Sequence, residues 1–217
     1  MSEKTGTQET MTLHKALAEL KIIGDRVKSG INSTIYVVEN RHSNTKLHGV
    51  SIADFTKNMQ ALSQSSDDLT KRRNALKRAV VLSNAVTKVI IGDVEYTVAE
   101  AIDMKNSGIE LKRLKLDKMR RQYDTAVERC NRENDALASK ADNHITGIFN
   151  TKDIKNMTED MIKVRDEFIK QHTMELVETL SVLEEIKALE KEIAVFVTEV
   201  DSVLSVSNAI TQITINY

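Results

Sequence analysis

The chain has no proline, no tryptophan, a single cysteine and only seven glycines among its 217 residues. Ordinary usage of about 5% would give roughly ten prolines. Proline breaks helix interiors by removing a hydrogen bond and clashing with the preceding turn, so its absence leaves long helices uninterrupted. Aromatic residues make up 4% of the chain, so any core must be mainly aliphatic. Thin aliphatic seams suit helical hairpins and bundles better than a large globular core. The lone cysteine, Cys130, excludes an intrachain disulfide and fits a reducing compartment. An excess of one charge is also missing. Lys and Arg number 31 against 32 Asp and Glu, a net charge of -1. There is therefore no whole-protein field of the kind that marks a general nucleic-acid binder, and attraction for anions must be local. Residues 1–10 are polar and lack a signal-peptide apolar region. The apolar run at 193–197 is too short to span a bilayer. The expectation is a soluble, cytoplasmic protein that engages neither membrane nor nucleic acid.

Signatures of chemistry are lacking as well. The histidines, His14, His42, His48, His144 and His172, form no HExxH arrangement and none stands beside a cysteine at metal-ligand spacing. Glycine-rich phosphate loops are absent from the sequence. The acidic pairs Asp67-Asp68 and Glu184-Glu185 fall on exposed helical positions and read as solvated faces. Cys130, flanked by Arg129 and Arg132, reads as a tolerated cysteine rather than a reactive one. No enzymatic activity, cofactor or metal site is expected.

What the chain does contain is helical periodicity. Leu13, Leu17, Leu20, Ile23 and Val27 recur at 3- and 4-residue spacing and predict a helix over 10–29 after a disordered tail at 1–9. The β-branched and aromatic run 33–38 predicts a strand. Ser51, with Asp54 three residues on, caps a helix over 51–88 with the stripe Ile52, Phe55, Met59, Leu62, Leu69, Leu76, Val80 and Val86. Gly92-Asp93 turns a β-hairpin over 89–96. Thr97 and Glu100 form a capping box that opens a helix over 97–141. A loop follows, then a helix over 153–208 whose stripe runs from Ile162 through Leu180, Ile193 and Val203 at a spacing near 3.5. Alternating Ile210 to Ile215 predicts a closing strand over 210–215, paired either with 33–38 or with a neighbouring subunit. The fold class expected is mainly α: a single domain over 10–217, built as elongated antiparallel helical hairpins or a bundle, with a small β-hairpin and a short terminal strand. Helices of this length keep their stripes only if the stripes are buried, so the expected partner is a second copy of the chain.

Two basic clusters flank the 89–96 turn. Lys71, Arg72, Arg73, Lys77 and Arg78 precede it; Lys112, Arg113, Lys115, Lys118, Arg120 and Arg121 follow it. Folding about Gly92-Asp93 would place Arg72 and Arg73 level with Lys112 to Lys115, and Arg78 level with Gly108. Converging guanidinium groups repel unless acids or an anion compensate, and the arginine fork suits phosphate oxygens. The candidate ligand-binding set is Lys71, Arg72, Arg73, Arg78, Lys112, Arg113, Lys115, Arg120 and Arg121, for a phosphate-bearing small molecule. The competing account is a solubilising face, with Glu110 and Asp117 neutralising neighbours on their own helix. No reading helix or aromatic platform accompanies the charges.

Three segments resemble the septicolysin-like family of helical proteins. They are the opening Met11-Thr12-Leu13-His14-Lys15-Ala16-Leu17-Ala18-Glu19-Leu20; the middle Asn84-Ala85-Val86-Thr87, Gly92-Asp93 and Tyr96-Thr97-Val98-Ala99-Glu100-Ala101-Ile102; and the end Ser207-Asn208-Ala209-Ile210-Thr211-Gln212-Ile213. Where the family carries a tryptophan near its closing motif, this chain has Ala209 or Ile210. The resemblance implies an oligomeric helical fold without an established reaction. The small, Lys/Asn/Ser-rich style also resembles phage accessory proteins. The functional expectation is a non-catalytic helical oligomer that binds a nucleotide-like anion, as a phage sponge for a nucleotide immune signal in the host cytoplasm would. The alternative is a structural scaffold or virion assembly protein with no small ligand.

Overall fold

The computed structural model describes residues 8–151 and 156–217. The fold is mainly helical with small antiparallel strand pairs, the class expected from a proline-free, aliphatic chain. The chain divides into two compact units, residues 1–106 with 195–217 and residues 107–194, where the sequence suggested one domain.

The first unit opens with β1 (Gln8–Thr12) paired antiparallel to β6 (Gln212–Asn216), with Met11 opposite Ile213. Alternation sends Met11, Ile213 and Ile215 inward and leaves Thr10 and Thr214 outside, joined through their hydroxyls at 2.9 Å. The threonine at 12 turns the chain into α1 (Leu13–Ser33) by accepting the Lys15 amide, and the Leu13 amide is held by the Thr211 carbonyl at 2.8 Å. The helix α1 packs on α2 (Ile52–Val86). Leu13, Ala16 and Ile23 of α1 meet Leu76 and Val80 of α2 over Met11, Ile213 and Ile215 in one buried cluster. Leu76 is fully buried, and burying a leucine contributes about 1.5–3 kcal/mol. Close approach of the helices falls at Gly30, where any side chain would meet the buried Ser66 hydroxyl.

A short hairpin, β2 (Lys46–Leu47) and β3 (Val50–Ser51), turns through His48 and Gly49 at φ 48° and 86°. Ser51 then caps α2 as predicted, accepting the Asp54 amide at 3.1 Å. The second hairpin pairs β4 (Lys88–Ile91) with β5 (Val94–Thr97) around Gly92 at φ 60°. Both halves of the capping box are present: Thr97 Oγ1 accepts the Glu100 amide, and the Glu100 carboxylate accepts the Thr97 amide at 2.7 Å. This opens α3 (Val98–Asp103). A π-helical segment, Met104–Gly108, follows, and its Asn106, Ser107 and Gly108 are weak helix formers that tolerate the wider turn.

The second unit contains α4 (Ile109–Asp135), α5 (Leu137–Phe149), α6 (Glu159–His172) and the N-terminal part of α7 (Val182–Ile210), whose remainder belongs to the first unit. Here Leu116, Leu137, Ala141, Ile145, Met161, Ile186, Leu189 and Ile193 are buried. Arg165 Nε donates to Asp142 at 2.8 Å between α6 and α5, and Phe168 lies between the rings of His144 and His172.

Several elements differ from the sequence reading. The stretch 33–38 is no strand: α1 runs to Ser33, Thr34 closes it by donating its hydroxyl to the Gly30 carbonyl at 2.8 Å, and residues 34–40 belong to no helix or strand. A strand-forming sequence needs a partner edge, and in this chain β1 takes the one offered by β6. The expected tail at 1–9 loses residues 8 and 9 to β1, while residues 1–7 lie outside the described range. The helix expected over 97–141 is divided by the π segment and again at Ala136, and the loop expected after Ala141 is helix up to Phe149. The helix expected over 153–208 is interrupted between His172 and Val182. There Asn134 acts as a surrogate backbone: its Nδ2 donates to the Met174 carbonyl at 2.9 Å and its Oδ1 accepts the Met174 amide at 2.8 Å, outcompeting helix bonds. The start expected at Asp153 lies outside the described residues.

Candidate anion-binding surfaces

The predicted basic residues are distributed between the units. Lys71, Arg72, Arg73 and Arg78 are on α2 in the first unit; Lys112, Arg113, Lys115, Arg120 and Arg121 are on α4 in the second. Two of the four in the first unit and three of the five in the second meet a carboxylate.

On α2, helical spacing turns Arg72 toward α1 while its neighbours face water. Its Nε donates to Glu19, its Nη1 lies 2.8 Å from Glu9, and its guanidinium is 4.6 Å from the centre of the Tyr217 ring. Hydrogen bonding to Glu19 raises the guanidinium pKa further above its ordinary value, while the Arg72 bond holds the Glu9 carboxyl below the ordinary range. With two carboxylates on one guanidinium, an incoming phosphate has to displace an acid before it gains an arginine. Lys71 pairs with Asp68 at 3.1 Å. Arg73 donates to the Asn74 side chain at 3.3 Å. Arg78 is exposed and has no ion-pair partner among the described residues.

On α4, three cations meet acids from the N-terminal part of α7. Lys112 pairs with Glu192, Arg120 with Glu190, and Lys115 lies 3.6 Å from Glu185. Arg121 donates to the Asp117 carbonyl at 3.1 Å, and Arg113 has no ion-pair partner among the described residues. These partly exposed pairs are each worth about 0.2–1 kcal/mol, so they set orientation more than stability.

The sequence reading missed these counter-ions because it sought them on the same helix, at Glu110 and Asp117. Asp68 of α2 serves Lys71 from its own helix, but the others arrive from β1, α1 and α7. A signal was available in the acidic N-terminal half of α7, where Glu184, Glu185, Glu190 and Glu192 interrupt an apolar stripe that needs only a few polar positions.

One further concavity lies in the second unit, a cavity of about 630 Å³ between α4 and the 173–181 segment, with Met119, Tyr123, Cys130, Leu176 and Val182 in its lining. Among the described residues, no group of three or more His, Cys, Asp and Glu side chains is placed to hold a metal ion. No family model matches the chain, and neither a curated protein nor a solved structure matches it.

Proposed function

We propose that the protein is a non-catalytic helical subunit that acts by assembling with further copies of itself. The observation that carries this reading is α7. It is long and apolar enough to cross a membrane by length and composition, yet only 22% of its most apolar stretch is buried within the chain. Val206 and Ile210, one turn apart on one face of α7, are 59% and 73% exposed, an apolar surface that a partner would cover. A neighbouring copy suits this surface better than lipid does. Glu199 accepts the Gly92 amide at 2.8 Å and Asp201 accepts a hydrogen bond from Lys105 at 2.5 Å, and both acids would be costly at bilayer depth. The septicolysin-like resemblance agrees with an oligomeric helical fold, and a scaffold or virion component is the role that needs nothing further.

A second reading keeps the anionic ligand. Arg73, Arg78, Arg113 and Arg121 are exposed and have no carboxylate partner among the described residues, so phosphate oxygens can reach them without displacing an acid. In an oligomer, symmetry multiplies these groups around a shared site. A phage-encoded sponge for a nucleotide signal, in the host cytoplasm, is the specific form of this reading.

Native mass spectrometry of protein purified from cells, before and after denaturing extraction, tests both. A defined oligomer supports assembly, and a monomer at tens of micromolar rejects it. Stoichiometric extra mass released as a nucleotide, and lost in an Arg73→Glu/Arg113→Glu variant that remains folded, supports the ligand. Equal nucleotide binding by that variant and the wild type removes it.

A further inference from the structure

The segment 173–181 joins α6 to α7 and belongs to no helix or strand. Its sequence argues for helix. Met174, Glu175, Leu176, Glu178 and Leu180 are strong helix formers, and no glycine or proline interrupts them. Leu176, Leu180 and Leu183 stand at the 4- and 3-residue spacing that continues into Ile186, Leu189 and Ile193, the buried face of α7. In the observed form Val177 is 91% exposed and Leu180 is 55% exposed. The cavity of about 630 Å³ lies between this segment and α4, so Leu176 and Leu180 line a space that they do not fill.

Two ties to α4 oppose winding. Asn134 holds both the amide and the carbonyl of Met174, and Lys115 lies 3.6 Å from Glu185. Lys115 and Asn134 are about 28 Å apart along α4, at about 1.5 Å per residue. Wound as a helix, the chain from Met174 to Glu185 would span only about 16 Å. Side chains that must already reach across to a packed helix cannot make up the difference, so a helix there has to release one tie. Lys112–Glu192 and Arg120–Glu190 also hold α7 to α4, which makes Asn134 the tie that winding would break. The break supplies its own cap as well: the Glu178 carboxylate accepts the Val182 amide at 2.9 Å. In a wound helix the Glu178 carbonyl, four residues back, would take that amide instead. We infer that 173–181 is a two-state strap. It exchanges between the observed form, tied to Asn134 with the cavity open, and a form in which α7 winds back to about Glu175 and Leu176 and Leu180 close the cavity over Met119 and Tyr123. The two forms are a choice between bond sets: side-chain bonds from Asn134 and Glu178 in one, main-chain helix bonds and buried leucines in the other. The switch works inside the second unit and needs no second copy of the chain.

Hydrogen exchange in Asn134→Ala, followed amide by amide, tests this, with unchanged α5–α6 protection as the check that the unit is folded. The amides of Thr179, Leu180 and Ser181 have no hydrogen-bond partner among the described residues. With the tie removed they become helix donors and should exchange at least about threefold more slowly than in wild type, while the Met174 amide, left at the start of the wound helix, exchanges faster. The only thiol of the chain, Cys130 in the cavity lining, reports closure separately: its reaction with a maleimide should slow by a similar factor. Asn134→Ala/Leu180→Gly, which lacks a helix former and a cavity filler, should lose both effects. Amides 179–181 that exchange in Asn134→Ala at the wild-type rate or faster, or thiol labelling that is unchanged or faster, overturn the switch, because a segment that is merely released disorders instead of winding.

Discussion

Gly92 is a position where a single methyl group should be unfavourable on two counts. It turns β4 into β5 at φ 60°, a conformation that costs a residue with a Cβ about 1–2 kcal/mol. A Cβ built there would also lie 2.7 Å from Val195 Cγ1 of α7, far inside ordinary van der Waals contact. Relieving it requires the hairpin or α7 to move by several tenths of an ångström, an overpacking cost of about 1–3 kcal/mol. The loss of backbone freedom in the unfolded chain returns about 0.4–1 kcal/mol. Gly92→Ala should therefore destabilise the first unit by about 2–4 kcal/mol. The movement would also lengthen the 2.8 Å bond from the Gly92 amide to Glu199. Urea unfolding followed by circular dichroism measures the total, and Val195→Ala apportions it. In that background the steric part disappears while the left-handed strain persists, so the two substitutions should be non-additive by about 1–2 kcal/mol. A Gly92→Ala variant within about 0.5 kcal/mol of wild type, or an additive pair, would refute the reasoning.

Asn134→Ala should free the 173–181 segment: two hydrogen bonds to Met174 are lost, and hydrogen exchange of the Met174 amide should accelerate about tenfold or more while the α5–α6 pair keeps its protection; unchanged exchange would mean that the segment is held by something else. Acid should weaken the fold through three carboxylates whose pKa values are depressed, Glu9 by hydrogen bonding to Arg72, Glu100 by the Thr97 amide and Glu133 by Lys140. Because the folded values lie below the unfolded one of about 4.3, their contribution is fully present above that pH and is lost as pH falls through the folded values. Melting temperature should be flat from about pH 7 to 5 and fall below about 4, less steeply in Glu100→Gln, and identical profiles for that variant and wild type would contradict the assignment.

The features that were legible in the sequence are those carried by local chemistry. The Thr97–Glu100 box, the Ser51 cap and the Gly92 turn each need only a few adjacent residues, and each appears where the residues indicate. The features that were not legible depend on distant partners. Nothing adjacent to Met174 says that Asn134, 40 residues away, will bond it and stop a helix whose apolar spacing continues regardless. Residues 33–38 satisfy every local requirement of a strand except a partner, and pairing is a property of two segments. The basic clusters follow the same logic. Their positions could be read, but apart from Asp68 beside Lys71 their counter-ions could not: Glu9 and Glu19, for example, reach Arg72 from 63 and 53 residues away.

The distribution of satisfied and unsatisfied groups gives the functional reading its direction. A site that waits for a multiply charged anion should hold its cations apart from acids, since each carboxylate must be displaced or repelled on binding. Here Lys71, Arg72, Lys112, Lys115 and Arg120 all have carboxylate partners within their own unit, and the remaining arginines stand on exposed helical surface. What is left without partners among the described residues is of another kind: apolar side chains along α7 and the uncharged backbone of residues 36–38. Small anions satisfy neither, whereas another polypeptide satisfies both. Assembly is therefore the reading we propose first, and under it a phosphate-bearing ligand would be held by the arginines that assembly would bring together.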